Sequence, residues 1–195
     1  SKLDLTKTES CIKFVKEERP DWIINCGAFT NVDKAESEKK NVLLINHEAP
    51  KNFSKVLSDY GGKLLHISSD YVFDGCKNKP YLTNDKVNPQ NIYGYSKALA
   101  EQSIKEILLE KNSYTILRTS WVVSPNGNNF LLTMIKLMNR DNDIRVVNDQ
   151  LGSMTSTLNL ANSCWQLISA NSEIRDYKNQ VVKFKDGNVQ GVLAF

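Results

Sequence analysis

The 195-residue chain has no apolar run near the roughly 18 residues that a membrane-spanning helix needs. Its first ten residues, Ser1 to Ser10, are polar and lack the apolar stretch of a secretory signal. No membrane partner is expected. Cysteine is sparse and scattered (Cys11, Cys26, Cys76, Cys164), with no C-x-x-C pair and only two histidines to complete a metal site. A disulfide framework and a metal centre are therefore not expected, and a reducing cytoplasm is the plain expectation. The net charge of +3 is small, and Lys/Arg are interleaved with Asp/Glu, which argues against a nucleic-acid groove. What is present is a hydrophobic fraction of 41% with 24% charged residues, the balance of a globular chain long enough to bury a substantial core.

The apolar pattern alternates between helical and strand periods. A helix capped by Thr8 or Ser10 is predicted to run to about Arg19, where Pro20-Asp21 stops it ahead of the buried-strand run Trp22-Ile-Ile-Asn25. A helix over residues 41–60 ends at Gly61-Gly62, before a strand over residues 63–67. A third helix, from Tyr93 to about Glu110, leads to a strand over residues 114–118. Further on, the pattern predicts a helix over 128–138, a short strand over 144–147 and a helix over 157–169, and it fades past Ala170. Such alternation implies the α/β class, a doubly wound parallel sheet covered by helices. The polar stretch from Ser69 to Asn91 is the one long loop.

In doubly wound sheets, ligands bind beyond the carboxyl ends of the strands. Those positions hold Asn25-Cys-Gly-Ala28, Ser68-Ser-Asp-Tyr71, Thr119-Ser-Trp121 and Asn148-Asp-Gln150. The chemistry-bearing segment is Tyr93-Gly-Tyr-Ser-Lys97, in which the i, i+4 spacing places a phenol and an ammonium on one helix face. A neighbouring cation favours the ionised phenol and lowers its pKa toward the working range. The same spacing also describes an ordinary exposed helix pair. Tyr93 is, however, the only one of the seven tyrosines with lysine at plus four. Ser69 is either a second donor to a substrate carbonyl or a turn residue bonding its own backbone. Trp121 either stacks on a ring or fills a seam.

Read together, Asn25–Glu36, Ser68–Gly75, Asn88–Lys97, Arg118–Trp121, Gly127–Phe130 and Asp149–Ser153 resemble the ordered motifs of the dTDP-4-dehydrorhamnose reductases, extended short-chain dehydrogenase/reductases. The resemblance covers about residues 2 to 168. It implies a Rossmann-like fold and a reductase that delivers hydride from NADPH or NADH to the C4 ketone of a dTDP-sugar. Ser69, Tyr93 and Lys97 would be the catalytic group. Tyr93 would protonate the ketone oxygen, Ser69 would polarise it, and Lys97 would lower the phenol pKa and bind the nicotinamide ribose.

The resemblance further implies cofactor contacts at Asp4, Leu5, Ala28, Phe29 and Thr30, and sugar-nucleotide contacts at Val32, Asp70, Tyr71, Trp121, Gly152 and Thr155. It divides the chain into a partial cofactor-binding domain over residues 1–150 and a partial substrate-binding region over 151–195. A homodimer is compatible with it. The sequence departs from the family pattern at several points. No G-x-x-G-x-x-G turn precedes Asp4, which implies either that an N-terminal strand–helix unit is missing from this chain or that the protein does not hold the cofactor. Ser69 stands where the family usually has Thr, Met154 stands where Pro is expected, and the match fades after about Tyr177. The alternatives are a non-catalytic regulatory subunit, like that of methionine adenosyltransferase, and a related sugar-nucleotide epimerase or dehydratase.

Overall fold

In the computed structural model, residues 3–109, 113–140 and 143–169 are described in full, and 174–175, 181–182 and 191–194 as strand backbone. The first half of the chain runs α1 (Thr8–Glu18), β1 (Trp22–Asn25), α2 (Val32–Ala35), α3 (Lys39–Leu43), a π-turn (Leu44–Glu48), α4 (Ala49–Tyr60), β2 (Lys63–Ser69) and a 3-10 turn (Asp70–Val72). The second half runs α5 (Ile92–Leu108), β3 (Tyr114–Thr119), β4 (Val122–Val123), α6 (Phe130–Met138), β5 (Thr155–Ser156), α7 (Thr157–Ile168), β6 (Ile174–Arg175), β7 (Val181–Val182) and β8 (Gly191–Ala194).

The main sheet has the order β1-β2-β3-β8 and is parallel throughout. Alternate residues of β2 and β3 face opposite sides, so each side acquires its own core. Leu64 and Ile116 join Cys11, Val15, Phe53, Leu57 and Ile104 of α1, α4 and α5. Leu65 and Leu117 join Cys164 and Leu167 of α7 on the other side. Helices on both faces make the sheet doubly wound, and the sequence pattern legibly demanded this.

The boundaries moved for identifiable reasons. The helix expected over 41–60 is three consecutive pieces, with a π-turn between α3 and α4. Pro50 has no N–H to give to the carbonyl four residues back, and Ala49 N–H instead bonds Leu44 O, five residues back. Neither Thr8 nor Ser10 caps α1. Lys7 holds that position, and the turn before it is tied by Asp4, whose Oδ1 accepts from Thr6 N and Thr6 Oγ1.

The short strand expected over 144–147 does not form. Val146 and Val147 are 50% and 66% exposed, so their β-branched side chains have no sheet face to pack on, and propensity without a pairing partner is insufficient. A small parallel pair the sequence did not suggest, β4 with β5, joins Val122 to Thr155 and Val123 to Ser156. The helix end expected near Glu110 and the fading near Tyr177 lie outside the described residues. No described helix is long and apolar enough to cross a membrane.

Candidate active site

The parallel register aligns the strand ends: Asn25 pairs with His66, and Ser69 with Thr119. Side chains leaving β1, β2 and β3 therefore emerge along one edge, where α5 enters from the loop after β2. Asn91 caps α5 by accepting from Gly94 N at 2.8 Å, and Ile92 N donates to Glu36 Oε1 at 2.8 Å, which seats the start of α5 against α2. Gly94 then allows α5 to lie on the 3-10 turn. A Cβ at this position would meet Tyr71 O at 2.1 Å and Pro89 Cβ at 3.2 Å. Gly94→Ala must push the helix and the turn apart, and is expected to cost about 1–3 kcal/mol of stability, read as a lowered thermal midpoint.

This close approach brings Tyr93 to Ser69, Asp70 and Tyr71. The rings of Tyr71 and Tyr93 meet edge to face at 5.6 Å. Burial pushes the Tyr93 phenol above its usual range, and the Ser69 hydroxyl beside it partly offsets the rise. Ser69 also fills the turn role that its sequence context allowed, since its Oγ accepts from Tyr71 N at 3.2 Å and donates to Asp70 Oδ1 at 2.9 Å. Burial raises the Asp70 carboxyl, and the hydrogen bonds from Ser69 and the Asp70 and Tyr71 backbone moderate the effect. Burial raises the Tyr71 phenol too, helped by Asp70 and by Asp33 of α2, next to Val32.

Lys97 departs from the expected pairing. Its Nζ turns onto β2, with Ile67 O at 2.5 Å and His66 Nε2 at 3.2 Å, and the residue is 2% exposed. Burial lowers its pKa to about 8, with Glu101 and Cys26 acting in the opposite direction. The expected lowering of the Tyr93 phenol by a facing ammonium is thus not what the site contains. The phenol is raised, because the ammonium is engaged by the strand and burial dominates at the ring.

The turn after β1 is held by a residue to which the sequence reading assigned no role. Asn46, fully buried in the π-turn, accepts from Phe29 N at 2.8 Å, donates to Phe29 O at 3.1 Å and approaches Ser96 Oγ at 3.0 Å. Its signal was a polar residue on the apolar stripe of a helix. Asn46→Ala leaves the Phe29 backbone without these partners and is expected to cost about 1–3 kcal/mol, measured by urea unfolding. This clamp places Ala28, Phe29 and Thr30 between α5 and β1. Leu5 packs beside the same turn, 2.4 Å from where a Gly27 Cβ would lie. Asp4, next to Leu5 in the chain, is exposed and engaged by Thr6 and Lys7.

Trp121, Gly152 and Thr155 form a second group beyond β3. Thr155 N donates to Trp121 O at 3.2 Å, and a Cβ on Gly152 would meet the Trp121 indole at 2.9 Å. Trp121 itself adopts φ +43°, a left-handed conformation that is costly for a bulky side chain. Ser120 Oγ donates to Ser153 O at 2.8 Å and fastens the two segments. Thr155 also lines an open groove with Asn159, Leu160 and Ser163 along α7.

Another buried network went unread in the sequence. Arg118 Nε and Nη2 fork onto the Glu101 carboxylate at 2.9 and 2.6 Å, and Ser68 Oγ donates to the same carboxylate at 2.6 Å. Arg118 Nη1 reaches Thr83 O at 3.2 Å, and its guanidinium lies 4.9 Å from the centre of the Phe73 ring, which stacks on Tyr81. The long loop after β2 is thereby pinned to the sheet.

The fold and site define a Rossmann-like α/β protein with a serine–tyrosine–lysine cluster at the carboxyl edge of its sheet. The chain belongs to the family described as RmlD substrate binding domain, whose model matches residues 1–182. It is 42% identical over 151 residues to the spore coat polysaccharide biosynthesis protein SpsK of Bacillus subtilis, covering 77% of this chain and 52% of that protein. To the dTDP-4-dehydrorhamnose reductase of Escherichia coli it is 38% identical over 158 residues, covering 81% of this chain and 52% of that enzyme. A crystal structure of dTDP-4-dehydrorhamnose reductase from Bacillus anthracis in complex with NADP matches with a TM-score of 0.79 and 40% identity, covering 86% of this chain and 59% of that one. The chain spans about half the length of these curated relatives.

Proposed function

We propose that the protein reduces the C4 ketone of dTDP-4-dehydro-L-rhamnose to give dTDP-L-rhamnose, with NADPH or NADH as the reductant. The observation that carries this reading is the Tyr93 phenol beside the Ser69 hydroxyl, with Lys97 buried behind them on the same helix. The donor set suits the nicotinamide end of such a cofactor. Lys97 and Tyr93 would meet the ribose, and the clamped turn Ala28-Phe29-Thr30, with Leu5 packed behind it, would line the site. Asp4, exposed at the same end of the chain, is proposed as the adenine-side contact. When bound, the reduced nicotinamide supplies the hydride.

The protein's own residues would act on the oxygen. Ser69 Oγ would turn its hydroxyl from Asp70 Oδ1 to the ketone and polarise it, and Tyr93 Oη would give the oxygen a proton, so that proton at oxygen and hydride at carbon together make the alcohol. Both hydroxyls stay protonated at neutral pH, so each is a donor in its resting form. Val32, Asp70 and Tyr71 would border the sugar, while Trp121, Gly152 and Thr155 would receive the nucleotide side of the substrate. On this reading, residues 1–150 carry the cofactor-facing site and 151–195 contribute to the substrate side, with Gly191–Ala194 a strand of the main sheet. A cytoplasmic, homodimeric enzyme is proposed.

The test is NADPH oxidation by the full-length protein on addition of dTDP-4-dehydro-L-rhamnose, with the product identified by NMR. Stoichiometric dTDP-L-rhamnose is the expected result. A folded protein that binds NADPH and leaves the keto-sugar unchanged would overturn the proposal.

A further inference from the structure

A line of hydrogen bonds runs from the turn after β1 to Lys97, and its direction is fixed at one end. Gly27 N–H can only donate, and it points at Asn25 Oδ1 at 3.2 Å. The Asn25 amide is therefore oriented with its Nδ2 toward His66 Nδ1, 3.0 Å away, which makes Nδ1 the acceptor. A neutral imidazole that accepts at Nδ1 carries its proton at Nε2. That N–H faces Lys97 Nζ at 3.2 Å, and only the amine form of lysine has a lone pair to receive it. The amine keeps its own donor for Ile67 O.

We propose that Asn25 and His66 are positioning residues that lock the Nε2–H tautomer of His66 and so set the balance between the ammonium and amine forms of Lys97. The part of this inference that concerns catalysis rests on the reductase reading; the tautomer does not. Asn25 and His66 are 4% and 0% exposed, so solvent does not scramble the order of donors. The ionisable groups facing Lys97 are His66 from β2, Cys26 at the end of β1 and Glu101 one turn along α5. Glu101 is itself committed to Arg118, Ser68 and Lys105, and it favours the ammonium, as does Cys26. His66 is the neighbour that opposes it. Burial, followed by the Lys97 charge, keeps His66 neutral well below its usual pKa, so the ring is a fixed dipole over the working range.

Two substitutions separate the lock from charge and from simple packing. Asn25→Asp accepts from both Gly27 N–H and the imidazole, forces the proton to Nδ1 and presents Nε2 to Lys97 as an acceptor. His66→Gln can turn its amide oxygen toward Lys97 without adding a charge. Both are expected to move the basic limb of the kcat/KM pH profile upward, by on the order of one pH unit, whereas a purely structural role would lower kcat or the thermal midpoint and leave the limb in place.

The direct readout is ¹⁵N NMR of the histidine-labelled full-length protein with and without NADPH, with His66 assigned by the loss of its signals in His66→Gln. A protonated Nε2 and an unprotonated Nδ1 are expected, unchanged across neutral pH. A proton on Nδ1, or a limb that neither variant moves, would overturn the inference. If the tautomer is as expected but the keto-sugar is not reduced, it is the proposed reaction that fails.

Discussion

Tyr93→Phe is expected to lower kcat/KM for ketone reduction by about 10²- to 10⁴-fold, the usual contribution of a positioned general acid, while leaving the fold unchanged and weakening NADPH binding far less, through the one ribose contact proposed for its hydroxyl. The ring is retained, so the edge-to-face contact with Tyr71 at 5.6 Å persists. The backbone carbonyl of residue 93 still accepts from Ser96 Oγ. What disappears is the phenol proton beside Ser69, the donor that the proposed reaction assigns to Tyr93. Ser69 is a poor substitute, since its hydroxyl donates to Asp70 and its oxygen accepts from Tyr71 N. Steady-state kinetics with the keto-sugar, alongside fluorescence titration of NADPH, separates loss of chemistry from loss of binding. A variant of undiminished kcat/KM would place the proton donor elsewhere.

Glu101→Ala is expected to destabilise the protein by about 3–5 kcal/mol, because it leaves a buried guanidinium without its counter-charge. Arg118 and Glu101 are each 2% exposed, so water cannot take the place of the lost partner. Burial by itself would raise the Glu101 carboxyl, but Arg118, Ser68 and Lys105 outweigh it and hold the pKa below the usual range. A carboxyl depressed in the folded state adds stability above its unfolded pKa, and that stability is lost as pH falls through the lower folded value.

The wild type is therefore expected to lose part of its margin in acid, and Glu101→Ala to show a flatter acid limb. Urea unfolding at neutral pH and at pH 4 measures both. The paired replacement Glu101→Leu with Arg118→Met removes both charges and is expected to recover much of the loss, since burying two apolar chains is less costly than burying one unpaired ion. An unchanged midpoint in the single variant would mean that the pair carries little of the stability.

The parts of this molecule that were legible in the sequence are those that short-range patterns encode. The runs at Trp22–Asn25, Lys63–Ser69 and Tyr114–Thr119 declared themselves by unbroken apolar character, and the polar residues at their carboxyl ends marked the edge at which Ser69 and Tyr93 meet. Gly94 sat in view within the Tyr93–Lys97 segment, but its role depends on a carbonyl 23 residues away, that of Tyr71. The direction of the Lys97 side chain was misread for a similar reason. Helical spacing puts Tyr93 and Lys97 on one face, yet it says nothing of Ile67 O or His66, which come from a strand.

Asn46, His66 and the Arg118–Glu101 pair are polar groups at apolar positions. Their partners are distant in the chain, so only the folded structure shows whether each is satisfied. Residues 144–147 illustrate the converse, a β-prone segment that found no strand to pair with.

In the proposed reaction Tyr93 and Ser69 frame a ketone at the sheet edge, with Lys97 buried one helical turn along α5 from Tyr93, while a hydride reaches the carbonyl carbon. This is tested most directly by isotope transfer. Full-length protein is incubated with dTDP-4-dehydro-L-rhamnose and NADPH deuterated at the transferable position of nicotinamide C4, and the product is examined by deuterium NMR. Deuterium at C4 of the rhamnosyl ring, at one stereochemical position and strongly diminished in Tyr93→Phe, is the expected result. A product without deuterium at C4, or one formed equally well by Tyr93→Phe, would contradict it.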